Sequence, residues 1–331
     1  MNGKKICKIL SVVMAIITLS VVLVSCGSGI EPIKGTEQEL KVVGTVGGID
    51  VLYEELRYLT LSHKYDMRQM YGKDMWKNPT EEHIDELNEL VYSSICTNYA
   101  LLLLCDDYSV EIDEKQAEEY AQYMVESQVK VLGSFDKYKQ SLKDYYLTDN
   151  YVRFCYGIDF KSDALIKKLI EKKLILSDSS EDEFIEYTKN TENYARVIQV
   201  YTTSEADAQT MYNMLKSGKK MSDIIGSKYN EDYGDATGDG YYFSRGEKEK
   251  DYEDIVFDLS IGQVSQVFKS GNRYYIVQRL SAEEEYVEEH LDTLMQYYQY
   301  GRLNALVREK METLTFEPNE YGKSIVLTEI E

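Results

Sequence analysis

The chain has 331 residues, with 58 Asp and Glu against 37 Lys and Arg, and a formal net charge of −21 at pH 7. Such an excess of acid repels phosphate backbones and anionic lipid surfaces, which argues against nucleic acid as a partner and against electrostatic adhesion to a membrane. Five cysteines and three prolines make neither a disulfide framework nor a zinc module nor a stiff linker, while the length allows two domains with cores of their own.

The N-terminus sets the compartment. Lys4, Lys5 and Lys8 precede an uncharged apolar run from Ile9 to Val24, the order of a secretory signal. At sixteen residues the run falls short of the ~20 that a spanning helix needs. It ends in Leu23-Val24-Ser25-Cys26-Gly27, which resembles the lipobox of bacterial lipoproteins. That resemblance implies cleavage before Cys26, lipid on its thiol, and a chain tethered to the extracytoplasmic face of the cell membrane. An uncleaved anchor, or an ordinary signal with a chance cysteine, is the competing reading. Loss of residues 1–25 removes three lysines and no acid, so the charge moves from −21 to −24. The later cysteines, Cys96, Cys105 and Cys155, read as buried thiols. Cys96 and Cys105 fall in one expected helix at a rise of roughly 13 Å, too far apart to bridge.

Residues 26–39 read as a polar tether. Leu40 to Val46 alternates like a strand, Gly47-Gly48 turns it, and Ile49 to Val51 pairs back. Leu52, Leu56, Leu59, His63, Met67 and Met70 then recur at helical spacing. Asn78-Pro79-Thr80-Glu81 predicts a helix start, with Asn78 as N-cap and Pro79 in the first position. The helix it opens carries Ile84, Leu87, Val91, Ile95 and Leu102. Asp113 with Gln116 opens a third helix, 134–147 and 148–176 continue the pattern, and Ser180 with Glu183 caps a short one. Residues 40–190 are therefore expected to be a mostly helical N-terminal domain.

The pattern changes at Tyr194. A strand is predicted to Tyr201, and Ser204 with Asp207 caps a helix with Ala208, Met211 and Leu215 inward and Gly218 past its end. A Gly- and Asp-rich loop spans Asn230 to Gly240, Tyr241 to Phe243 is a strand, Asp254 to Leu259 a helical turn, and Arg273 to Leu280 a final strand. This is the element order of a small α+β domain, set at 191–281. From Glu283 to Leu314 one helix is expected, with Val287, Leu291, Leu294 and Tyr298 on one side. Alone it cannot bury that stripe, so residues 282–331 are expected to pack back on the N-terminal domain. The fold class is thus α+β: a helical body of N-terminal helices and C-terminal helix, interrupted by the small domain.

Residues 194–280 resemble a parvulin (PpiC-type) peptidyl-prolyl isomerase domain. The resemblance rests on Ala195-Arg196 with Ile198, Phe243-Ser-Arg-Gly246, Tyr252-Glu-Asp-Ile-Val-Phe257, Leu259, Gly262-Gln-Val-Ser265 and Tyr274-Tyr-Ile-Val277. With helices on both sides, the chain is similar to the PrsA- and SurA-type foldases that help exported proteins fold. The resemblance implies a proline cup of two facing histidines, a cysteine or aspartate, a phenylalanine, a methionine and a small hydroxyl. Here Val197 and Tyr275 stand at the histidine positions, and Lys248 at the methionine. Asp232 stands at the cysteine or aspartate, Tyr252 at the phenylalanine and Ser270 at the hydroxyl, with Phe243 beside them. Gly238-Asp239-Gly240 matches the family's glycine turn imperfectly. The peptide-binding candidates are Val197, Asp232, Phe243, Tyr252, Ser270 and Tyr275; Asp232 and Tyr275 are the candidates for catalysis, Tyr275 because a phenol can replace an imidazole hydrogen bond. Against this, an acidic residue in a polar loop is ordinarily solvated, and Tyr275 can simply face the core.

Other chemistry finds no support. His63, His83 and His290 all fall in expected helices outside the α+β domain: His63 reads as a packing residue, the others as solvated. No metal-protease helix, phosphate loop or nucleophile turn occurs, and no metal or cofactor is expected. The reading is an extracytoplasmic, lipid-anchored foldase or chaperone. It would bind unfolded or extended segments of exported proteins in a Met-, Leu- and Tyr-lined cleft between body and domain, and a homodimer is compatible with it. Thirty tyrosines against one tryptophan suit adaptable contact, although a compositional bias explains the same count. An active isomerase is the first alternative. A solute-binding or structural lipoprotein is the second, and its solute-binding form would need two α/β lobes.

Overall fold

The computed structural model describes residues 30–234 and 239–331; the signal-like segment, Cys26 and Gly238 lie outside them. The chain forms two compact units: one runs to Lys168 and takes in Val307–Glu331, the other is Leu169–Leu306.

In the first unit, β1 (Val42–Val46) and β2 (Ile49–Leu52) form a hairpin. Gly47 and Gly48, at φ 57° and 84°, supply a two-residue turn whose positive dihedrals a side chain would resist. Helix α1 (Tyr53–Tyr71) buries Leu56, His63 and Met67, but its stripe ends before Met70, which is 41% exposed. Helix α2 (Glu81–Asp107) is capped by Thr80, whose Oγ1 accepts from the His83 N–H at 3.3 Å. The start is thus two residues later than Asn78-Pro79 predicts. Asn78 instead closes the 3₁₀ turn Met75–Lys77, which leaves the Thr80 hydroxyl, on extended backbone at φ −76° and ψ 160°, to take the capping role. Helix α3 (Glu114–Leu132) takes the Asp113 cap, followed by α4 (Phe135–Asp144) and α5 (Asp149–Glu171). Leu87, Val91 and Ile95 of α2 close on Val43, Val51, Leu56 and Met67, all nearly free of solvent. A second core joins Val125, Tyr138, Leu142 and Tyr156.

The second unit begins within the end of α5, ahead of the expected boundary at 190. Helix α6 (Glu181–Thr188) and β3 (Tyr194–Thr202) are followed by α7 (Glu205–Lys216) and α8 (Met221–Ile225). Then come β4 (Tyr241–Ser244), α9 (Lys250–Asp258), β5 (Phe268–Ser270) and β6 (Arg273–Leu280). The strands form an antiparallel sheet in the order β4-β3-β6-β5. Side chains alternate across a strand, so β3 sends Val200 toward Met211, Met221, Ile224 and Ile276, while Ala195 and Val197 face the opposite side.

The expected continuous helix after Glu283 is instead α10 (Glu284–Glu289) and α11 (Leu291–Met311). His290 leaves helical backbone at φ −115°, and its ring Nδ1 lies 2.9 Å from the Tyr286 carbonyl oxygen. Within the second unit, Tyr298 of the apolar stripe meets Phe184 at a tilt and Tyr187 edge-on, both in α6, with ring centroids 5.7 and 5.0 Å away. The end of α11 from Val307 and the tail after it belong to the first unit, where Lys310 pairs with Asp107 of α2 at 2.7 Å. There β7 (Phe316–Pro318) pairs with β1 to give the order β2-β1-β7. After α12 (Glu320–Lys323), the buried Lys64 ammonium donates to the Thr328 and Ile330 carbonyls at 2.9 and 2.7 Å.

Candidate functional site

The pairing register decides which side chains share a face. Tyr241 and Arg279 flank Val197, Val277 lies beside Gln199, and Tyr275 beside Tyr201. Residues at even spacing from Val197 therefore look the same way, with Phe243 from β4 and with Phe268 and Ser270 from β5. Helix α9 lays Tyr252, Val256 and Phe257 over this face. Ala195, Val197, Phe243, Tyr252 and Val277 form one buried cluster, and Tyr241, Phe268 and Tyr275 pack half-buried at its margin. Four of the candidates, Val197, Phe243, Tyr252 and Tyr275, are thus brought together.

The aromatic members meet at ring distances typical of favourable edge and offset contacts. Tyr252 and Tyr275 are T-shaped at 5.2 Å, Phe268 stacks on Tyr275 at 5.7 Å, and Phe243 and Tyr252 lie 5.9 Å apart. Lys248, exposed, sits at the edge with its ammonium 5.7 Å from the Phe243 ring centre.

Asp232 is not solvated as its loop position suggests: it is only 9% exposed. Its Oδ2 accepts from Gln199 Nε2 at 2.7 Å, and its Oδ1 accepts from the Tyr241 hydroxyl at 2.6 Å and the Gly234 N–H at 3.0 Å. The Gln199 amide oxygen accepts in turn from the Tyr252 hydroxyl at 2.6 Å. A hydrogen-bonded chain therefore runs Tyr252, Gln199, Asp232, Tyr241, and each buried polar group in it has a partner. Gly240 holds the loop against β3: its φ is +82°, and a Cβ there would stand 2.6 Å from the Val197 carbonyl oxygen.

Ser270 is buried on the β5 side, where its hydroxyl donates to Asp251 Oδ1 at 2.7 Å; the same oxygen accepts the Tyr252 N–H at 2.9 Å. The hydroxyl is thus engaged in fixing the start of α9. Burial pushes the Tyr275 phenol above its ordinary range, while Arg273 beside it pulls the other way. Tyr252 is pushed up much further, chiefly by burial, so both phenols are neutral at physiological pH. Arg273 also lies with its guanidinium 4.2 Å from the Tyr201 ring centre, a cation–π contact at the margin of the face.

Gln199, Tyr241 and Arg273 were not singled out from the sequence. The step of two from Val197 points to Gln199, but its bond to Asp232 depends on the fold of a loop thirty residues on. Among the described residues no group of His, Cys, Asp and Glu is arranged to hold a metal ion.

Residues 183–282 match the PPIC-type PPIASE domain. Over the chain as a whole, a foldase protein PrsA of Caldanaerobacter subterraneus subsp. tengcongensis is 22% identical across 309 residues, covering 91% of this chain and 92% of the relative. A foldase protein PrsA of Staphylococcus aureus is 26% identical across 191 residues, covering 53% of this chain and little more than half, 55%, of that relative. The solved PrsA structure from Bacillus anthracis covers 65% of this chain and 94% of its own at 16% identity, with a TM-score of 0.35, an overlay too loose to weigh. The chain carries a parvulin-type domain and resembles the PrsA and SurA-type proteins.

Proposed function

From a chain that carries a PPIC-type domain and resembles PrsA foldases, we propose an extracytoplasmic foldase or chaperone for exported proteins, tethered through lipid on Cys26. Its parvulin-like cup would hold extended segments more than it catalyses their isomerisation. The observation that carries this reading is the Tyr252-Gln199-Asp232-Tyr241 chain in a face that has no imidazole. Turning a prolyl bond means crossing a barrier of ~20 kcal/mol without covalent chemistry, so an enzyme must hold proline in an apolar cup and stabilise the twisted amide. Val197 offers an apolar wall where the family resemblance implies histidine, and Tyr275 a neutral phenol. The polar groups behind them are engaged with one another. What remains is an aromatic surface that adapts to many apolar side chains, which suits a broad client list.

The test runs a proline-limited refolding reaction beside an aggregation assay on an unfolded client without proline. Suppressed aggregation with no acceleration of refolding is the expected result. Accelerated refolding that Tyr275→Phe and Asp232→Ala slow would replace this reading with that of an active isomerase. Failure in both assays would leave the solute-binding or structural lipoprotein. Metabolic palmitate labelling of wild type, lost in Cys26→Ser, tests the tether.

A further inference from the structure

Away from the cup, the second unit contains a cavity of about 580 Å³ lined by Thr191 to Asn193, Arg245, Phe257 to Ile261, and Arg279. Two guanidinium groups reach its wall. Arg279 is only 2% exposed. Its Nη1 donates to the carbonyls of Val256, Phe257 and Leu259, its Nη2 to those of Thr191 and Tyr194, and its Nε–H is buried with no acceptor. Arg245 donates through Nε to the Glu192 carbonyl at 2.7 Å and lies over the Phe257 ring at 4.0 Å; its terminal nitrogens make no other hydrogen bond among the described residues. Glu192 and Asp258 also line the cavity, yet neither forms an ion pair with these arginines within 4.0 Å. Burial first, and Arg245 second, hold the Arg279 pKa below its ordinary value.

A buried cation beside a second one, with only carbonyls and ring faces as partners, is a costly arrangement that an entering anion relieves. The planar fork of Arg245 matches a carboxylate through two parallel bonds. Glu192 and Asp258 in the same wall disfavour a dianion and leave a monoanion the better fit. Ile261, 49% exposed, adds an apolar lip beside the charge. We propose that this cavity is a subsite for a carboxylate carried by an extended protein segment, seated against Arg245 with Arg279 behind it. The carboxylate follows from the cavity alone; its origin in an extended segment rests on the chaperone reading.

The experiment titrates the purified full chain with three fluorescein-labelled peptides. One is a capped peptide with a central Glu, one its Gln counterpart, and one the Gln peptide with a free C-terminus. The Glu peptide is expected to bind about tenfold more tightly than the capped Gln peptide, and Arg245→Gln to remove that advantage, as loss of a charge-assisted bond does. Arg245→Lys should keep part of it. Tight binding of only the free C-terminal peptide supports the subsite and assigns the carboxylate to chain ends. Equal binding of all three peptides, or an unchanged carboxylate advantage in Arg245→Gln, overturns the proposal. So does displacement of the Glu peptide by inorganic phosphate at concentrations where acetate has no effect. Should Arg245→Gln fail to fold, Ile261→Glu tests the same point, because a second negative charge at the lip should weaken the Glu peptide selectively. Peptide binding with failed aggregation suppression would leave the subsite standing and remove the chaperone reading; the reverse would do the opposite.

Discussion

The two faces of the β4-β3-β6-β5 sheet are made from alternate residues of the same strands, yet their chemistry differs. Toward α7 and α8, Val200 and Ile276 meet Met211, Met221 and Ile224 in an aliphatic and methionine core, with Tyr212 and Tyr229 half-buried at its edge. Toward α9, aromatic rings are interleaved with Gln199, Asp232, Ser270 and Arg273, and Tyr241, Phe268 and Tyr275 remain half-buried. The first face has a core of aliphatic and methionine side chains that holds the sheet to α7 and α8. The second leaves aromatic area and a paired polar chain at a margin that solvent reaches, the arrangement expected of a surface that binds.

The largest expected effect lies on the face toward α7 and α8. Ile276 is fully buried, so Ile276→Ala should cost about 2–5 kcal/mol by lost transfer energy and the cavity left behind. Denaturant melting of the full chain reads it, while peptide binding by the surviving folded fraction should not change. Asp232→Ala comes next, at about 2–3 kcal/mol, because three donors lose their acceptor together. Here client binding should weaken as well. If it stays intact while stability falls, the polar chain is structural only and the contrast between the faces is one of packing style.

Proton linkage sharpens the contrast further. Glu247, in the turn after β4, is pushed up to about 7 from its ordinary 4.5, mainly by burial, although its carboxylate accepts the Ser244 N–H at 2.6 Å. A carboxyl with a raised pKa in the folded state binds its proton more tightly there than in the unfolded chain. Its stabilising contribution is therefore complete below about pH 4.5 and is lost as pH rises through about 7. The loss should be on the order of 2 kcal/mol after allowance for partial exposure. Glu55, buried in the first unit and also raised to about 7 by burial, acts in the same direction. The measurement is therefore the difference in the pH dependence of Tm between wild type and Glu247→Gln, which should show the shallower slope.

Much of this was legible from residue order, and the exceptions have physical causes. Alternation from Tyr194 to Tyr201 fixed which residues share a face, and local caps such as Ser204 with Asp207 need only three residues of context. The two three-residue strands carry too little pattern to detect. One of them, β7, is defined by its pairing with β1, about 270 residues earlier, with Gly44 opposite Pro318, a contact no local signal encodes. The Asp232 environment was misjudged for a related reason. Loop composition predicts exposure, but the turn from Asn230 brings the carboxylate to Gln199 of β3 and Tyr241 of β4, neither of which has a signature of its own. At the break at His290 the ring and the backbone N–H both reach the Tyr286 carbonyl, at 2.9 and 3.1 Å, a local geometry that apolar periodicity does not register.

The smallest effect on stability is the most discriminating for the cup. Tyr275 contributes a ring packed between Tyr252 and Phe268 and a phenol near Arg273. Tyr275→Phe keeps the ring and removes only the hydroxyl, so the fold should lose less than about 1 kcal/mol, the usual net worth of one hydrogen bond. If the aromatic surface is what binds, affinity for a proline-free unfolded client should stay within about threefold, a difference of about 0.7 kcal/mol. If the phenol instead acts on the twisted amide in place of an imidazole, client affinity should hold while any acceleration of proline-limited refolding falls by about a hundredfold, the usual scale for a lost polar catalytic group. A loss of client affinity without a loss of stability would contradict both accounts and move the contact surface toward Arg273, whose cation the phenol would then be positioning.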